Sequence, residues 1–140
     1  MFAGVVDLGK RHSIYHWEAD IQMKYMLLIY LDEKAMDEAE REHCYVESTQ
    51  LAHDLKTNGQ FLGTSPLQPT SMATCVRVRD GKRLVTDGPF VEAREQLGGY
   101  FMVDAKDLDV AISIAARIPG ARVGTVEIRP VIEISGLPKG

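Results

Sequence analysis

Val85-Thr86-Asp87-Gly88-Pro89-Phe90-Val91-Glu92-Ala93-Arg94-Glu95-Gln96-Leu97-Gly98-Gly99-Tyr100-Phe101 holds a stiff turn, a cluster of charges and a glycine pair opening an apolar strand. Pro89 has φ fixed near −65° and no amide proton, so it has no place in a central ladder. Gly88 before it reaches backbone angles closed to other residues, and the position preceding a proline is pushed out of the helical region. The Asp87 carboxylate can accept from amides two residues on and close the turn. Phe90 is expected to pin the loop to the core. Gly98-Gly99 permits a bulge or a close backbone approach, and Tyr100-Phe101-Met102-Val103 reads as a buried strand.

Outward from this stretch the punctuation is regular. Ahead of it, Ala73-Thr74-Cys75-Val76-Arg77-Val78-Arg79 alternates like a half-exposed strand. Asp80-Gly81 is a hairpin turn, and Lys82 to Thr86 returns. Behind it, Asp104 to Asp107 caps a helix over Leu108–Arg117 with Leu108, Ile112 and Ala115 or Ala116 inward, ended by Ile118-Pro119-Gly120. Thr125 to Val131 is the last strand. Upstream, Lys24 to Leu31 suits a central strand buried on both faces, and Asp32 caps a helix from about Glu33 to Thr57. Its core stripe is Cys44, Ser48, Leu51, Ala52 and Leu55, and Asn58-Gly59 ends it. Gln60 to Gly63 is a short second strand, and Ser65 to Thr70 a loop carrying two prolines.

The order is strand, helix, strand, hairpin, strand, helix, strand. That is an α+β fold of ferredoxin-like split βαβ type with an added β-hairpin. Helices on one face leave the other face of the sheet apolar. Two such faces stacking predict a homodimer with twofold symmetry.

The long linked motif resembles the DGPF branch of the YCII-related family. Asp87-Gly88-Pro89-Phe90 matches the motif that names that branch, and Glu92 with Arg94-Glu95-Gln96-Leu97-Gly98-Gly99 matches the segment that follows. Met23 to Tyr30, Ala116 to Pro119 and Glu127 to Val131 extend the resemblance over about residues 23–132. It implies a ferredoxin-like subunit of dimeric α/β-barrel type and little about activity. The histidine of the His–Asp pair proposed as catalytic in a better-studied branch has no clear counterpart. By association only, the resemblance also implies a regulatory setting beside extracytoplasmic-function sigma factors.

Composition narrows the function classes. A chain of 140 residues suits one domain with a real core. Its net charge of −4 argues against a general nucleic-acid binder. No apolar run reaches the roughly 18–20 residues that span a bilayer, so no membrane partner is expected. Cys44 and Cys75 show no metal spacing and read as reduced thiols of a cytoplasmic protein. No metal, cofactor fingerprint, phosphate loop or nucleophile elbow is present. Residues 1–22 have no sustained period. They are expected to be an extension outside the core, with Met23 as the natural start, which an intact mass of the native product decides. Residues 133–140 are a tail.

The expected site is a cleft beside the turn. Asp87, Glu92 and His43 are its candidate catalytic groups, because two nearby carboxylates can have separated pKa values and serve as acid and base. Arg94, Glu95, Tyr45, Pro89 and Phe90 are its candidate ligand contacts, with Arg94 able to grip an anion through two hydrogen bonds. A surface ion-pair network on a loop explains the same charges. The readings open at this level are a small anionic ligand in a binding cleft, acid–base chemistry of lyase type, and a regulatory or scaffold dimer.

Overall fold

The computed structural model describes residues 23–139. The expected extension at 1–22 lies outside them. Strand β1 (Met23–Leu31) leads through a turn to helix α1 (Glu38–Thr57) and strand β2 (Phe61–Pro66). A 3₁₀ turn (Thr70–Met72) precedes the hairpin strands β3 (Thr74–Arg79) and β4 (Lys82–Asp87). Strand β5 (Gln96–Ala105), helix α2 (Leu108–Arg117), the one-turn helix α3 (Gly120–Val123) and strand β6 (Thr125–Pro130) complete the chain. The main sheet runs β2-β5-β1-β6, and every neighbouring pair is antiparallel. Strands β3 and β4 form a separate two-stranded sheet. This is the expected ferredoxin-like α+β arrangement with an inserted hairpin.

Period-two alternation decides which face is covered. Tyr25, Leu27 and Ile29 of β1 and Phe101, Val103 and Ala105 of β5 are buried under the helices, where they meet Leu51 and Leu55 of α1 and Ala111, Ile114 and Ala115 of α2. The residues between them, Met26, Leu28, Tyr30, Tyr100 and Met102, are half-buried on the opposite face. β1 is central as expected, but within one chain it is covered on one face only. A bulge falls where Ile29 pairs with Gly99 and Tyr30 with Leu97, which leaves Gly98 as the extra residue.

Four expectations need correction. Helix α1 begins at Glu38, because Asp37 accepts from the Glu40 amide at 2.8 Å and Glu40 Oε1 accepts from the Asp37 amide at 3.1 Å. That reciprocal box satisfies two amides at once. Asp32 instead caps a turn by accepting from the Lys34 amide. The buried stripe of α2 runs through Ala111, Ile114, Ala115 and on to Ile118, so Ile112 faces outward. Phe90 does not anchor the loop in the core. It is 72% exposed, and Arg77 stacks on its ring at 5.4 Å. The β3–β4 hairpin is more exposed than alternation suggested, with Val76, Val78, Leu84 and Val85 all open. Its turn has both central residues at positive φ, Asp80 at 52° and Gly81 at 72°, as a two-residue hairpin turn requires. No helix among the described residues is long and apolar enough to cross a membrane.

Candidate functional site

The second half of α1 fills its contact with the sheet using Leu51 and Leu55. The first half presents Arg41, Cys44, Tyr45 and Ser48 at the same helical spacing. Small and polar side chains there cannot close the gap over Ile29, Leu31 and Phe101. The result is a cavity of about 560 Å³, which those residues line with Asp32, Glu33 and Met36, the segment Thr64–Pro69, Gly98, Gly99, and Ile118, Gly120 and Val123 from the far side. Its size and mixed lining are those of a small-molecule site. Two ion pairs hold α1 over it: Arg122 to Glu47 at 2.7 Å and Arg117 to Asp54 at 2.9 Å.

The charges on the wall are unequal in their freedom. Asp32 faces Arg94 Nε at 3.5 Å and also accepts from the Lys34 amide at 3.0 Å. Glu33 accepts from the Thr70 amide at 2.8 Å and from Thr70 Oγ1 at 2.5 Å, which fastens the β1–α1 turn to the base of the hairpin. Arg41 is half-buried and donates to the Met36 carbonyl at 3.4 Å, a long bond. It has no carboxylate within ion-pair distance among the described residues. The Cys44 sulfur lies 3.9 Å from that of Met36. Burial, then the neighbouring Glu47 carboxylate, pushes the Cys44 thiol upward against the opposing pull of Arg122. It therefore stands as a neutral thiol rather than a nucleophilic thiolate.

The sequence candidates are spread over several places. Tyr45 lines the cavity. Arg94 reaches its edge through Asp32. Asp87 pairs with Thr74 at the open end of the hairpin, and Glu92 is exposed with no ion pair among the described residues. The amide of Gly88 donates to the Ala73 carbonyl at 2.7 Å, which closes the corner ahead of Pro89. Glu95 accepts from Thr125 Oγ1 at 2.8 Å, on the sheet rather than at the cavity. The His43 side chain is 79% exposed and lies 3.8 Å from Glu47, outside the cavity lining. Asp87, Glu92 and His43 thus make no hydrogen bond or ion pair with one another, and none of them lines the cavity. No group of three or more metal-binding side chains forms among the described residues. Arg41, Glu33 and Gln68 were not among the candidates. Arg41 lies three residues before Cys44, in phase with the stripe, and that spacing is the signal that could have found it.

The chain is 32% identical over 114 residues to an uncharacterized protein of Rhizobium meliloti (strain 1021), an alignment that spans 78% of this chain and 92% of the relative. Residues 23–135, from the first residue of β1 to just past β6, match the family model of the YCII-related domain. With that span covering the whole sheet, both long helices and the hairpin, the chain belongs to the YCII-related family.

Proposed function

We propose that this protein binds a small anionic molecule in the cavity between α1 and the sheet. The observation that carries the reading is the half-buried Arg41 on the wall, which has no carboxylate partner among the described residues, where both lining carboxylates are already engaged. A half-covered guanidinium with no carboxylate beside it has donors to spare, and an anionic ligand supplies their acceptor. Binding is favoured over acid–base chemistry for a related reason. Asp32 and Glu33 serve as hydrogen-bond acceptors for the fold, and Asp87, Glu92 and His43 stand outside the lining. The two free thiols suit a reducing, cytoplasmic setting.

The cavity-filling variant Ser48→Leu tests the reading. Its stability should stay level or rise by about 1 kcal/mol, because methyl groups replace empty space. In a thermal-shift screen of small organic acids, compounds that raise the melting temperature of the wild type should lose that effect in Ser48→Leu. Hits that stabilise both proteins equally would place binding elsewhere.

We also propose that two copies pair through the open face of the sheet. Met26, Leu28, Tyr100 and Met102 lie there as cross-strand neighbours, only half-covered in one chain. Val76 and Val85 of the hairpin and Phe90 after it expose further apolar surface. An isolated two-stranded hairpin is marginal in water, so it gains most from a second surface. Sedimentation should show a dimer that Leu28→Asp converts to monomer. A wild type that stays monomeric at micromolar concentration excludes the pairing.

A further inference from the structure

We infer that the ligand of this cavity is a monoanionic carboxylate with an apolar, ring-sized body. The inference rests on the cavity being a ligand site and adds the chemical class. Three observations carry it.

First, among the described residues the wall offers one cation without a carboxylate partner, Arg41, and two carboxylates. A dianion such as a phosphate monoester would have Arg41 as its single counter-charge and would lie in the field of Asp32 and Glu33. A single negative charge is matched without excess. Second, the free group is a guanidinium. Its planar fork meets a carboxylate through two parallel hydrogen bonds, a geometry an ammonium lacks. Third, apolar side chains make up the larger share of the open lining: Leu31, Met36, Leu67 and Val123 stand there beside the hydroxyls and the Gln68 amide. An apolar body placed there gains burial, whereas a sugar or nucleoside would lose hydrogen bonds to water with little return. The Tyr45 and Ser48 hydroxyls also line the cavity, and neither side chain hydrogen-bonds another described residue. They remain available to a second acid oxygen or a ring substituent.

The test uses three probes of one shape and different charge: benzoate, benzamide and phenyl phosphate. Binding to the full chain is followed by NMR of the amides around the cavity. Benzoate should bind about tenfold or more tighter than benzamide, the range expected when a hydrogen bond gains a full charge. Phenyl phosphate should be weaker than benzoate. Arg41→Gln should remove the preference for benzoate over benzamide, and Arg41→Lys should keep part of it. Equal binding of benzoate and benzamide by the wild type, or tighter phenyl phosphate, overturns the carboxylate assignment while leaving a ligand cavity. Perturbation of no cavity amide by any of the three at millimolar concentration overturns both.

Discussion

Replacing Gly124 with alanine is expected to destabilise the protein by about 3 kcal/mol or more, a large part of a typical domain's margin. Gly124 joins α3 to β6 and donates its amide to the Gly120 carbonyl at 2.7 Å. A Cβ placed there would collide with the Tyr30 carbonyl oxygen and lie 2.9 Å from Leu31 Cδ2. The leucine methyl can swing away. The carbonyl cannot, because Tyr30 is held in β1 between Leu97 on one side and Thr125 on the other. Relief therefore requires β6 or α3 to move, and with them the wall of the cavity. Gly120 is the instructive contrast. Its added Cβ would meet Ile29 Cγ2 at 2.5 Å, a methyl of a buried, χ1-stiff side chain that has to repack, so Gly120→Ala should also destabilise, though by less than a clash with a strand carbonyl. Gly63 has nothing within 4 Å of a built Cβ, and Gly63→Ala should stay within about 0.5 kcal/mol of the wild type. Urea unfolding of the three variants should give that order, and a Gly124→Ala protein as stable as Gly63→Ala would sink the argument.

The contrast among these glycines shows what could be read in the residues and what could not. Asp80-Gly81 carries its turn type in two residues, and the hairpin follows. The strand order follows from alternating runs and short connections, and the Gly98-Gly99 bulge falls where the pair suggests. The helix ends depend on competition between nearby acids. Asp32 and Asp37 both resemble caps, and only Asp37 has a glutamate three residues on to close the box. In α2 nearly every position from Val110 to Ala116 is apolar, so period alone admits two phases. Packing of Ala111 and Ile114 on the sheet selects one of them. The cavity was the least legible part. Cys44 and Ser48 belong to the inward stripe, and reading that stripe as filled core overlooks their small volume against Leu51 and Leu55. Phe90 exposes the opposite limit, since an aromatic ring in a turn carries no sign of whether the surface that covers it lies within the same chain.

Phe101 lies at the meeting of core and cavity, and Phe101→Ala should carry the largest combined effect. The ring is 1% exposed, sits opposite Leu27 across the ladder and faces Thr64 on the other side. Truncation to alanine in such a position typically costs about 3–5 kcal/mol, from lost burial and from the void left behind. Here the void merges with the cavity, so water can enter and the surrounding strands have less reason to collapse around it. Leu55→Ala is the control. Leu55 is fully buried on α1, outside the cavity lining, and its truncation should cost about 2–5 kcal/mol. Both variants should therefore unfold at lower urea concentration than the wild type. They should differ in binding. Measured below the unfolding transition, benzoate affinity per folded molecule should survive Leu55→Ala and fall in Phe101→Ala, because only the second opens the floor of the cavity and spoils its shape. Equal loss of affinity in both would mean that binding reports general loosening of α1. A stability loss under about 1 kcal/mol in Phe101→Ala would mean that the β5 strand is not packed beneath the helices as described.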